Sequence, residues 1–207
     1  MTYKILLIGP QGSGKGTQAE LLARRLGIPS FAMGQLLRDE VAAGTPIGQK
    51  IDGILKSGNL VSDAEAAEVL KARLARPDTQ NGYILDGYPR NIAQYHAFDF
   101  DTPTHVLVIE VPHEESLKRL GGRVTCSTCG HVGSIAMGTK PGDTCACGGT
   151  YAVRSDDTPE AISRRLEVYD QDTIPMIAEF EKRGLVRRID GMGNVDEVTQ
   201  RIAAALA

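Results

Sequence analysis

Long apolar runs are missing from this 207-residue chain. No stretch approaches the roughly 18 to 20 consecutive apolar residues that a membrane-spanning helix requires. An excess of either charge is missing too: 23 Lys and Arg stand against 26 Asp and Glu, a formal net charge of -3. Nothing global therefore marks a protein built to coat nucleic acid or an anionic membrane, and any anion site must be local. Tryptophan, internal repeats and low-complexity tracts are absent, and cysteine is confined to four residues between Cys126 and Cys147, which serve one local purpose. What remains is 42% hydrophobic and 24% charged, too apolar and too weakly charged for a disordered chain. The length suits one compact domain with insertions and a real core. Residues 1–8 form a short apolar run followed at once by Gly9 and Pro10, so they read as a buried strand rather than a signal peptide, and cytoplasm is the expected compartment.

Helical and extended patterns alternate along the chain. After the first strand, Ala19, Leu22, Ala23 and Leu26 recur at helical spacing and stop at Gly27 with Pro29 beyond, which predicts a helix over 15–26. Residues 34–76 carry short helical patterns broken by Gly44, Pro46, Gly58 and Asn59 and look like a small helical insertion. Segments 83–86 (YILD), 105–111 (HVLVIEV) and 185–189 read as strands between helices, the pattern of a parallel α/β sheet. Residues 122–157 break this rhythm with many Gly, Thr and Ser and few large apolar side chains, so they need another source of order. A long helical pattern over 158–183 opens with Asp157, Thr158 and Pro159, a cap followed by a first-turn proline; Pro175 should kink or interrupt it. Residues 194–206 are amphipathic.

The segment GPQGSGKGT at 9–17 follows a strand and opens a helix. Glycines let consecutive N–H groups curl inward, the helix N-terminus adds partial positive charge, and Lys15 can reach the β and γ phosphates of a nucleotide. A plain strand-to-helix turn is the alternative, but a turn has no need of the lysine. The generic pattern puts Ser or Thr directly after Lys; here Gly16 intervenes and Thr17 follows, which marks a subtype. Asp86 ends the second strand, where a carboxylate can hold the hydration shell of Mg2+; read alone, it could also be a turn residue before Gly87.

Cys126-Ser-Thr-Cys129 and Cys145-Ala-Cys147 pair a CxxC with a CxC in a Gly-rich segment, which reads as a tetrahedral, structural zinc site of four thiolates. Two disulfides are the alternative, and His131 is a possible substitute ligand. A zinc ribbon can also bind nucleic acid, yet only Arg123, Lys140 and Arg154 lie nearby as cations.

Taken together, GPQGSGKGTQ, LDGYPR with Gln94 four residues on, the Leu60-Val61-Ser62-Asp63 segment and Arg119-Leu-Gly-Gly-Arg123 resemble the adenylate kinase signatures in their family order, across essentially the whole chain. The four-cysteine insert is similar to the zinc-bearing lid of the long-lid bacterial type. The resemblance implies a P-loop three-layer α/β/α fold with a five-stranded parallel sheet, divided into a core (1–31, 62–121 and 158–207), an AMP-binding domain (32–61) and a lid (122–157). It implies a monomer that converts ATP plus AMP into two ADP with Mg2+, without nucleic-acid or membrane partners. The ATP side would consist of Gly12, Ser13, Gly14, Lys15, Gly16, Thr17, Arg119, Arg123, Val132 and Gly193. The AMP side would consist of Met33, Arg38, Asn59, Leu60, Val61, Gly87, Tyr88, Pro89, Arg90 and Gln94, with Arg154 and Arg165. Lys15, Arg90, Arg123, Arg154 and Arg165 would be catalytic, Asp86 associated with Mg2+, and Cys126, Cys129, Cys145 and Cys147 with zinc. Where the family usually shows Thr-Gly-Asp, this chain has Met33-Gly34-Gln35, and the second cysteine knuckle is one residue shorter than usual.

So many arginines suit such a reaction. A nucleoside monophosphate already presents an ionised oxygen as nucleophile, so the difficulty is bringing two polyanions together, and guanidinium groups grip phosphate through paired N–H bonds. A monophosphate kinase with a broader or different acceptor is one alternative. A P-loop switch or ATPase that uses its zinc insert as a binding module is another.

Overall fold

The computed structural model describes residues 2–56, 61–153 and 158–206. Strand β1 (Tyr3–Ile8) leads through the glycine loop into α1 (Lys15–Leu26), which begins and ends on left-handed glycines, Gly14 and Gly27, as its sequence pattern predicts. A short strand that the pattern does not reveal, β2 (Ser30–Ala32), follows. The region expected to be helical contains α2 (Met33–Ala42), α3 (Pro46–Lys56) and α4 (Asp63–Leu74). Helix α4 starts on a capping box: the Ser62 hydroxyl accepts from the Glu65 N–H at 3.3 Å, and the Glu65 carboxylate accepts from the Ser62 N–H at 3.2 Å. Then come β3 (Gly82–Asp86), α5 (Ile92–Ala97), β4 (His105–Glu110) and α6 (His113–Gly121).

The cysteine-bearing insert forms a small antiparallel sheet from β5 (Arg123–Cys126), β6 (Val132–Ser134) and β7 (Tyr151–Ala152), in the order β6-β5-β7. Helix α7 (Pro159–Val168) is capped by the Thr158 hydroxyl, which accepts from the Ala161 N–H at 3.2 Å. It widens into one π-helical segment, Tyr169–Thr173, before α8 (Ile174–Lys182). The expected interruption at Pro175 thus falls in the turn just ahead of it, where wider winding accommodates a residue with no N–H to return to the preceding turn. Strand β8 (Val186–Asp190) and α9 (Val195–Ala205) complete the chain. No helix among the described residues is long and apolar enough to cross a membrane.

The main sheet is parallel throughout, in the order β2-β3-β1-β4-β8. Because side chains alternate along β1, Leu6 and Ile8 enter one apolar cluster with Tyr88, Met176 and Phe180, while Ile5 and Leu7 enter another with Leu22, Val198 and Ile202. Two helical layers on one sheet are the three-layer α/β/α architecture expected. Among its described residues the insert's own core is Val124, Cys126, Cys145 and Tyr151. At the base of the insert, Leu120 of α6 packs with Ile162 and Leu166 of α7. With β3 on one side of β1 and β4 on the other, the crossovers run in opposite directions from β1 and leave a crevice at its carboxyl end, where α/β sheets receive ligands.

Candidate active site

The glycine loop lies in that crevice. Gly12 has φ +82°, and a side chain there would bring a carbon within 2.8 Å of the Ser116 carbonyl oxygen, so α6 can pack directly on the loop only because the position is bare. Lys15 Nζ donates to the carbonyls of Gly9 and Pro10, both at 2.8 Å, and lies 3.4 Å from the Ser13 hydroxyl, which closes the loop around the ammonium. Register places Asp86 opposite Leu7. A carbon added at Gly16 would lie 3.8 Å from Asp86 Oδ2, an ordinary contact distance, which places the start of α1 against this carboxylate. Thr17 follows in the first turn of α1.

Electrostatics tie these groups to the arginines. Loss of solvent, reinforced by the charges of Arg90 and Arg123 and opposed by Asp86, lowers Lys15 to about 8. Burial raises Asp86 above the usual carboxylate range, opposed by Lys15 and Arg90. Arg90 Nε donates to the Gly87 carbonyl at 2.8 Å, and its own carbonyl accepts from Thr173 Oγ1 at 2.7 Å, which ties the segment Gly87, Tyr88, Pro89, Arg90 to the π-helical turn. Arg165 reaches from α7 to Gln11 of the glycine loop, 3.4 Å from its Oε1, and its charge is felt at Arg90. Lys15, Asp86, Arg90, Arg123 and Arg165 are therefore gathered at one end of the sheet.

The remaining candidates surround that centre. Arg119 donates to Glu115 at 2.8 Å and to the Gly191 carbonyl at 3.1 Å, clamping α6 to the loop that carries Gly193. Gly193 has φ +99°, and any side chain there would run into Glu197 of the α9 capping box. On α2, Arg38 donates to Gln35 Oε1 at 2.7 Å, while Gln35 donates to Asp39 at 2.7 Å. Met33 is buried in the apolar cluster that contains Tyr88 and Leu36. Val61 directly precedes the α4 cap, and Val132 stands exposed on β6. Arg154, Asn59 and Leu60 lie outside the described residues.

The four cysteines converge. Their sulfurs all lie within 4.8 Å of one another, with Cys126 and Cys147 at 3.5 Å and Cys129 and Cys145 at 3.7 Å. A tetrahedron with Zn–S bonds of about 2.3 Å has edges of about 3.8 Å, so the donor set fits that ion despite the short second knuckle. The cysteines are free thiols rather than disulfides. Backbone N–H groups of Cys129 and Thr128 aimed at its sulfur pull Cys126 down, while the His131 N–H fails to offset the neighbouring sulfurs that push Cys129 up, as four close thiols compete for protons. His131, the substitute ligand considered from the sequence, is not among the clustered donors; its Nδ1 lies 2.9 Å from Glu20 Oε2 of α1. Next to it, a carbon at Gly130 would lie 3.2 Å from Gln35 Oε1, so the first knuckle meets both α1 and α2.

A phosphate cradle at a helix mouth, faced by several guanidinium groups, defines a P-loop phosphotransferase. A family model described as adenylate kinase matches residues 7–185. The adenylate kinase of Syntrophobacter fumaroxidans is 41% identical over 211 residues, covering 98% of this chain and 99% of its own. Those of Thermodesulfovibrio yellowstonii and Xylella fastidiosa are 39% identical over 211 residues and 40% identical over 209, each covering 98% of both chains. The chain belongs to the adenylate kinase family, and so to the enzymes of phosphoryl transfer between ATP and AMP.

Sequence reading passed over several of these residues. Gln11 and Gln35 stood inside quoted motifs without a role as partners of Arg165 and Arg38. Glu20 is 111 residues from His131, and no local pattern connects them.

The state of Lys15 sets an expected pH dependence. For Lys15 to meet a phosphate its ammonium must be present, and burial lowers its pKa to about 8. From that group, kcat/KM for ATP is expected to be level below pH 7 and to fall above 8 by up to about tenfold per pH unit. The check is a pH profile beside that of Lys15→Arg, which should be slower but lack the break.

Proposed function

We propose that Lys15, Arg90, Arg123 and Arg165, with Arg154, neutralise the phosphates of ATP and AMP while the phosphoryl group passes between them to give two ADP. The observation that carries this reading is the grouping of the first four at the carboxyl end of the sheet, with Lys15 and Arg90 acting on Asp86, Arg123 on Lys15 and Arg165 on Arg90, in a chain that matches the family over nearly its whole length. Such a transfer needs no base to deprotonate the acceptor; positioning and charge compensation supply the catalysis. The loop from Gly12 to Thr17 would hold the ATP phosphates, and Arg119, Val132 and Gly193 the adenosine end. Arg38 and Arg90 would grip the AMP phosphate, and Gln94 would face its base. Met33, Val61 and the segment Gly87, Tyr88, Pro89 would line the same pocket, with Asn59 and Leu60. Asp86 would hold Mg2+ through its hydration shell, and the ion would supply charge compensation to the ATP phosphates.

The division into core (1–31, 62–121 and 158–207), AMP-binding domain (32–61) and lid (122–157) follows the same reading. Closure of the lid and AMP domain would exclude water, which otherwise competes with AMP for the phosphoryl group. Gly121 and Gly122, at the end of α6, suit a hinge. Contacts from the first knuckle to Glu20 and Gln35 suit a closed arrangement held by exposed polar groups, each of small energy. Cys126, Cys129, Cys145 and Cys147 would hold zinc as a structural ion, since four thiolates leave no position for water or substrate. The enzyme would work as a cytoplasmic monomer on free nucleotides.

The deciding assay measures ADP from ATP plus AMP against ATP alone, with CMP, UMP and GMP as further acceptors. AMP is expected to be the preferred acceptor and to be required for turnover; faster turnover with another monophosphate overturns the assignment. Arg90→Ala and Arg123→Ala are each expected to lower kcat by about 10³-fold with little change in Tm. Near-normal turnover in either removes that residue from the site.

Metal analysis of protein purified without added metal is expected to find about one zinc per chain. Cys126→Ser should abolish most turnover while leaving the helical signal of the core nearly intact, because coordination of this kind supplies about 10 to 16 kcal/mol in isolated zinc modules. Metal-free protein of full activity refutes the zinc assignment.

A further inference from the structure

Asp63 is the first residue of α4, yet it contributes nothing to the helix cap, which Ser62 and Glu65 already complete. Its Oδ1 instead points across to the start of α5, where it accepts from Gln94 Nε2 at 2.8 Å and from Asn91 Nδ2 at 3.2 Å. On the other side of the same amide, Gln94 Oε1 accepts from the Arg90 backbone N–H at 2.8 Å. Asn91 in turn caps α5 by accepting from the Gln94 N–H at 2.7 Å, which fixes the backbone from which Gln94 projects.

A glutamine amide is nearly symmetric in shape but not in chemistry. Rotated by half a turn about its last bond, it exchanges a carbonyl for an –NH2. Here the neighbours forbid that exchange. The Asp63 carboxylate only accepts and the Arg90 N–H only donates, so reversing Gln94 would set oxygen against oxygen on one side and N–H against N–H on the other. After these two bonds Gln94 keeps one N–H and one carbonyl lone pair. That pair matches the edge of adenine, where the exocyclic amino group donates beside a ring nitrogen that accepts. A 6-oxopurine carries an acceptor in place of the amino group and would meet the locked carbonyl with its own oxygen.

We infer that Asp63 is a specificity-determining positioning residue: by fixing the sense of the Gln94 amide it selects adenine over 6-oxopurine monophosphates as acceptor. The inference rests on the reading that Gln94 faces the acceptor base. Asp63 touches no substrate; it acts through Gln94.

The experiment compares kcat/KM for AMP and inosine monophosphate, with ATP as donor, in the wild type, Asp63→Ala, Asp63→Ser and Asp63→Asn, with Tm recorded for each. Inosine monophosphate changes the 6-position without adding the guanine amino group. The AMP preference is expected to fall about tenfold in the Ala and Ser variants, which lose one of the two neighbours that hold the amide and leave the Arg90 N–H to hold it alone. It should stay close to wild type in Asp63→Asn, whose amide oxygen still accepts. Serine is well tolerated at a helix start, which guards against loss of folding. An unchanged preference in the Ala and Ser variants, or an equal loss in Asp63→Asn, overturns the inference; a lower Tm alone would indicate only a structural role.

A second measurement needs no variant. In the nucleotide-free wild type the two Gln94 side-chain amide protons should differ strongly in NMR shift and exchange slowly; signals like those of free glutamine overturn the lock. Wild-type enzyme without a preference for AMP would instead count against the acceptor reading, and the amide signals would then judge the lock on their own.

Discussion

Cations resist being crowded together, and the crevice beside β1 crowds four. Lys15 feels the charges of Arg90 and Arg123, and Arg90 feels that of Arg165, although each of these side chains keeps some contact with solvent, which tempers the repulsion. Asp86 and the carbonyls of Gly9 and Pro10 offset part of that repulsion, a task the phosphates of the proposed substrates would take over. Much of the fold can be read as the means of that assembly. Strand order sets Asp86 beside the glycine loop, α6 packs on bare Gly12, and Thr173 ties down the Arg90 carbonyl. The formal net charge of -3 is an average that conceals this local excess of cations.

What could be read from the sequence was local. A continuous apolar run with glycines behind it marks β1 and the loop, helical spacing marks α1, and a proline marks the break between α7 and α8. Strand β2 escaped notice because three residues, Ser30–Ala32, are too few to display a period. The site was legible as motifs: loop, Asp86, arginines and cysteines lie where their spacing implied a shared purpose. Links between distant segments left no trace. Glu20 and His131, Asp63 and Gln94, and Gln11 and Arg165 meet only once the sheet has ordered the helices, and a single chain read from end to end does not record such pairings.

Two kinds of order coexist in one polypeptide. The body is held by apolar packing on both faces of a parallel sheet, with Ile5, Leu6, Leu7, Ile84, Leu85 and Leu107 wholly buried. The described residues of the cysteine insert include four in its buried core, two of them cysteines, far short of what a domain of its own would require. The proposed metal would replace a hydrophobic core there, giving a stiff piece in few residues. Stiffness suits a lid, because a rigid body turning on its base can deliver arginines to the same place each time.

The base and the edge of that insert differ in kind. Where it joins the body, Leu120, Ile162 and Leu166 make an apolar pivot. Where its first knuckle meets α1 and α2, the partners are His131 with Glu20 and the backbone at Gly130 with Gln35. Parting along a polar seam wets little new apolar surface, and it is apolar surface that gives protein transitions their large heat-capacity change. Opening and closing of the proposed lid should then shift only gently between cold and warm conditions, even as the stability of the body beneath follows the steep curve of a hydrophobic core.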